Sequence, residues 1–201
     1  MYEWRKMSPV QRLKVLKDRQ SRHVPWHGPP HFENENHLYL ITAATFEHHP
    51  VIGFSSQRMA SFETDLLKTA GPLSARIFAW CILPNHYHVL LQSPIIRDLL
   101  VELGKLHGRT SFQWNGEDDR RGRQVWHRAA ETGMKSENHF WATLNYVLHN
   151  AVRHGYFERW QDWPYSNAAD YLADVGRDEA TRRWREFPIL GYGDGWDPID
   201  L

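Results

Sequence analysis

Ala75-Arg76-Ile77-Phe78-Ala79-Trp80-Cys81-Ile82-Leu83-Pro84-Asn85-His86-Tyr87-His88-Val89-Leu90-Leu91-Gln92 reads as two strands and the turn between them. Residues 75–83 and 87–92 are apolar and strand-like, and Pro84-Asn85 is a pair of turn residues, so the two runs are expected to lie as antiparallel neighbours. Working back, Gly71-Pro72 stops a helix over residues 56–70, which has Ser55 or Ser56 as cap and Met59, Phe62, Leu66 and Leu67 near helical spacing. Before it, residues 38–45 suit a strand. Working forward, a helix over 96–112 is followed by the polar, turn-rich loop 115–123, a short strand over 124–128, and a helix over 136–152. Ser136 caps that last helix, with Phe140, Leu144, Val147 and Leu148 facing the core. This order predicts an α+β, ferredoxin-like domain: a mainly antiparallel sheet with helices packed on it. Fold order alone says nothing about chemistry.

Outside this core, residues 1–37 read as an N-terminal extension. Ser8 caps a short helix with Pro9 at its first position and Gln11 as the reciprocal partner, and a Pro-rich connector covers residues 24–31. Residues 38–168 form the expected core domain and 169–201 a C-terminal tail. With 201 residues, 41% of them hydrophobic and ten Trp, the chain can build a real core. No apolar run approaches the roughly 20 residues of a membrane span, and Met1-Tyr2-Glu3-Trp4-Arg5 lacks the apolar segment of a secretory signal. A cytoplasmic protein with no membrane partner is therefore expected. The single Cys81 makes no intramolecular disulfide or thiolate metal site and reads as a small buried strand residue.

Lys and Arg total 24, matching the 24 Asp and Glu, so net charge is silent about a nucleic-acid partner and placement must decide. Basic residues gather at Arg120, Arg121 and Arg123, and at Arg182, Arg183 and Arg185 around Trp184. Such runs serve a strand-binding surface or simply a solvated face.

Two constellations carry chemistry. Side chains alternate along a strand, so His86 and His88 project the same way and both imidazoles can reach one divalent ion. A lone His-x-His is more often a pair of surface or packing histidines. On the last helix Tyr146 and Asn150, four apart, share a face, so a phenol and a carboxamide oxygen address one point. A lone helical Tyr is usually a packing residue. His149 could act as a base, but a helix-surface histidine is the plainer reading and it stays outside the predicted site.

Taken jointly, Pro84-Asn85-His86-Tyr87-His88-Val89-Leu90 and the helix pattern Tyr146-x-x-x-Asn150-x-Val152-Arg153-x-Gly155, followed by Trp163-Pro164-Tyr165-Ser166, resemble the REP-associated tyrosine transposases of the HUH nuclease superfamily. The resemblance covers residues 38–168, with support from the opening strand and from Val125-Trp126-His127-Arg128. It implies a transposase, a DNA strand transferase active in transposition and recombination on single-stranded, hairpin-forming repeat DNA. Tyr146 matches the nucleophile that forms a 5′-phosphotyrosine link. His86 and His88 match metal ligands, with Asn150 as the third. Mg²⁺ or Mn²⁺ is the expected ion, Mn²⁺ accepting imidazole more readily, and Zn²⁺ fits on ligand type alone. Lys105, Arg109, Arg120, Arg121 and Arg123 are the candidate backbone contacts to DNA. Ala151 stands where the family usually has Pro, which lets the helix run on past Asn150. The resemblance leaves monomer or homodimer open. The competing readings are a catalytically silent protein that binds repeat hairpins and a metal-dependent nuclease that uses activated water.

Overall fold

The computed structural model describes residues 37–192 together with Ser8, Val10 and Lys14; apart from these three positions, the N-terminal helix and connector expected before residue 32 lie outside the described residues. Four strands, β1 (Leu38–Ala44), β2 (Arg76–Ile82), β3 (His86–Gln92) and β4 (Ala130–Gly133), form one sheet in the order β2-β3-β1-β4, every pair antiparallel. The helices are α1 (Ser56–Ala70), α2 (Ile96–Glu117), α3 (Glu137–Leu148), α4 (Asn150–Arg153), α5 (Ala168–Val175) and α6 (Arg177–Glu186). This is the expected α+β architecture, and none of its described helices is long and apolar enough to cross a membrane.

The pleat divides the sheet into two faces. Register places Tyr87, Val89 and Leu91 with Ala43, Ile41 and Tyr39 on one face, where the Tyr87 ring meets Phe62 of α1 and His107 of α2. His86, His88 and Leu90 with Ala44, Thr42 and Leu40 point to the other, which α3 covers. Ser55 caps α1 by accepting the Arg58 amide, and Ser136 caps α3 by accepting that of His139.

Three elements differ from expectation. The strand expected over 124–128 is absent: Trp126 makes one isolated bridge to Thr45, and β4 begins at Ala130. The apolar character of Val125-Trp126 serves the core instead, since the Trp126 indole stacks on His107 at 4.3 Å and donates to Thr110 Oγ1 at 3.0 Å. Second, α2 runs on to Glu117, because Trp114 and Asn115 are buried and Arg58 pairs with Glu117 and Asp118. Third, the last helix is interrupted at His149 (φ −98°, ψ 5°) and resumes as the single turn α4. The His149 ring is held out of the site between Trp184, stacked at 3.8 Å, and Trp160 at 4.9 Å.

The segment read as a C-terminal tail holds α5 and α6. Asn145 of α3 donates to the carbonyls of Arg183 and Phe187, 3.1 and 2.9 Å away, which fastens α6 to the helix that carries Tyr146.

Candidate active site

Strand β3, α3 and α4 bring the four predicted residues together: His86 and His88 from the strand, Tyr146 from α3 and Asn150 from the start of α4. The His86 and His88 rings lie 5.0 Å apart by centroid, the His86 Nε2 is 3.0 Å from Asn150 Oδ1, and the His88 Nε2 is 3.3 Å from the Tyr146 hydroxyl. All four side chains are 0% exposed, so their polar atoms must find partners within the protein.

The outer nitrogens are already engaged. His88 Nδ1 meets Thr42 Oγ1 at 2.8 Å, across the β1–β3 pair, and His86 Nδ1 meets Asn85 Oδ1 at 2.8 Å. The Asn85 oxygen only accepts, so His86 carries a proton on Nδ1, and its Nε2 then presents a lone pair in the neutral ring. That lone pair faces Asn150 Oδ1, a second acceptor. Two acceptors at 3.0 Å are reconciled either by the amide turning so that its Nδ2 donates to Nε2, or by a cation held by both. Adjacent donors on an octahedron with bonds of about 2.1 Å are separated by about 3.0 Å, so the spacing suits a small divalent ion. Asn150 Nδ2 is buried and has no hydrogen-bond partner among the described residues, while its Oδ1 is the atom that faces His86. The donor set therefore fits a metal: Nε2 of His86 and His88 with Oδ1 of Asn150, each imidazole steadied from behind. Among the described residues no three His, Cys, Asp or Glu side chains are grouped to hold an ion, and the set is completed only by the amide.

Other residues border the cluster without having been marked by their pattern. The Tyr192 ring packs edge-on against Tyr146 at 5.4 Å, and its hydroxyl meets Thr143 Oγ1 at 2.7 Å. The Arg153 guanidinium lies 5.8 Å from the Tyr146 ring centroid, and the His154 ring is 5.0 Å from that of His86. Thr42 gave no signal in sequence, whereas Asn85 stood inside the strand motif and was read only as a turn residue. Cys81 is buried in β2 beside His88, and burial pushes its thiol far above the usual range.

The five cations predicted to touch DNA are not brought to this cluster. Lys105 and Arg109 are exposed on α2, which packs on the opposite face, and Lys105 pairs with Glu102. In the loop after α2, Arg120 is exposed, Arg121 donates to the Phe112 carbonyl, and Arg123 binds Asp118 and Asn115. Arg182 pairs with Glu179 and Glu186, and Arg183 pairs with Glu179 and lies 4.3 Å over Trp141, so both have intramolecular partners.

The sheet and its helices match the solved structure of a REP-associated tyrosine transposase bound to a REP hairpin, with a TM-score of 0.56 and 17% identity over 86% of this chain and 89% of that one. The fold is thus that of a tyrosine transposase. A Haemophilus influenzae protein (strain ATCC 51907 / DSM 11121 / KW20 / Rd) named for the REP-associated tyrosine transposases is 31% identical over 129 residues, which span 56% of this chain and 68% of that protein. The chain belongs to the family of REP-associated tyrosine transposases. No family model matches it.

Proposed function

We propose that this protein cleaves and rejoins single-stranded, hairpin-forming repeat DNA through a phosphotyrosine at Tyr146, with a divalent ion held by His86, His88 and Asn150. The observation that carries the proposal is the convergence of a phenol, two imidazoles and a carboxamide in one buried cluster. A neutral ligand set leaves the ion's charge for the phosphate, and Mn²⁺ or Mg²⁺ supplies a Lewis acid that polarises and orients the scissile group. Tyr146 gives up its phenolic proton and attacks phosphorus, the bond to the 3′ oxygen breaks, and that oxygen takes up one proton to leave as the 3′-hydroxyl. The 5′-phosphotyrosine keeps the bond energy for rejoining. His88 Nε2 has one lone pair, so if it held the ion it would no longer accept from the Tyr146 hydroxyl, which now lies 3.3 Å away. A phosphodiester reaches that oxygen only if the groups that exclude solvent move aside.

Purified protein incubated with labelled hairpin strands from repeats beside its gene, with Mn²⁺ or Mg²⁺, should give a protease-sensitive, slowly migrating band on denaturing gels. The band and the cleavage should both vanish in Tyr146→Phe. Cleavage that survives this substitution would assign the chemistry to activated water, and tight binding without an adduct in either metal would leave a DNA-binding protein.

A further inference from the structure

We infer that Arg153 is the phosphate-binding residue of this site, its guanidinium holding the non-bridging oxygens of the phosphodiester offered to Tyr146. The inference rests on the function proposed above and adds a residue to it. Arg153 ends α4, seven residues beyond Tyr146 and therefore close to the same side of the helical run despite the interruption at His149. Helical side chains lean toward the N-terminus, which sends a long side chain from position 153 back over position 146. The guanidinium carbon is 5.8 Å from the Tyr146 ring centroid, and Nη1 donates to the Tyr192 carbonyl at 3.3 Å.

Charge argues in the same direction. Two imidazoles and an amide contribute no anion to the ion and no further cation to the substrate, whereas an attacked phosphodiester gains negative charge on its non-bridging oxygens. A planar guanidinium matches two such oxygens with parallel N–H donors. The cations of α2 and its following loop lie on the other side of the sheet and cannot fill this role.

The test uses full-length protein. In a Tyr146→Phe background, which binds without reacting, Arg153→Gln should weaken binding of a hairpin strand that continues through the cleavage position. It should also lower the slope of log affinity against log salt by about 1, as loss of one phosphate contact does. With Tyr146 intact, Arg153→Gln should slow adduct formation at least ~100-fold, and Arg153→Lys should restore the salt slope but only part of the rate, since charge returns without the fork. Mn²⁺ affinity, read by the loss of the free-ion electron paramagnetic signal, should be unchanged in both variants. If Arg153→Gln keeps the native slope and reacts within about twofold of the native rate, the inference is overturned while the Tyr146 reading stands. If Arg153→Gln fails to fold, an Arg153→Lys variant that forms the adduct within about twofold of the native rate overturns the inference alone, because the fork would then contribute nothing. Absence of any adduct from the native protein removes the Tyr146 reading and this inference with it.

Discussion

His86 and His88 owe their aim to two residues that would touch no ion. Thr42 and Asn85 hold the outer imidazole nitrogens, so each helps to set a ring orientation. Thr42→Val keeps the shape and removes the hydrogen bond, and should lower Mn²⁺ affinity about 10-fold while leaving all three ligands in place. Titration calorimetry would show it, and an affinity equal to native would mean that Thr42 only packs. Periodicity made legible only that His86 and His88 share a strand face and Tyr146 and Asn150 a helix face; their roles came from the joint resemblance of the two segments. Thr42 was not legible: it lies 46 residues from His88 and meets it only through the register of β1 on β3, which no local pattern encodes. Arg153 stood inside the quoted helix motif, yet its approach to the Tyr146 ring is a contact that the motif alone does not state.

The end of α2 shows how one element is fixed to another by charge. Arg58 of α1 is buried and donates to Glu117 and to both oxygens of Asp118, which also pairs with Arg123, and the Arg58 hydrogen bond holds the Asp118 carboxyl below its ordinary range. The same guanidinium lies 4.5 Å over Phe54. Arg58→Ala would strip a shielded carboxylate of its main partner and leave a void beside Trp114, and should destabilise the protein by roughly 3–5 kcal/mol. Urea denaturation measures it, and a change under about 1 kcal/mol would show that Arg123 compensates alone. Arg123 was predicted as a DNA contact because charge runs are visible in sequence, while the carboxylate that engages it is not. Asn115-Gly116-Glu117 likewise looked like a loop, and the helix persists there because burial of Trp114 and Asn115 overrides local preference.

Across the molecule, two buried imidazoles link the fold to pH. Burial pushes both His107 and His149 down to about 4 from an ordinary value of 6.5. Each folded-state pKa lies below the unfolded one, so the unfolded chain takes up the extra proton. Stability is therefore full above about pH 6.5, falls as pH drops toward 4, and levels off below that. The loss approaches roughly 3 kcal/mol per histidine. Denaturation followed from pH 7.5 to 4 should reveal this slope, and His107→Phe should make it shallower; a flat profile over that interval would mean that both rings are protonated in place. The order of elements and the antiparallel sheet were legible in hydrophobic spacing, whereas α5 and α6 were not, since their anchoring depends on Asn145 reaching two distant carbonyls. The outer border of β2 is closed in a similar way. Asn167 presents its amide to the Trp80 N–H and the Phe78 carbonyl, the Tyr165 carbonyl takes the Ile82 N–H, and the Trp163 indole caps the Ile82 carbonyl. A side chain imitates a peptide where a fifth strand would otherwise dock. Along Phe78–Ile82 this border therefore presents engaged peptide groups, which disfavours sheet-to-sheet fusion of two copies there.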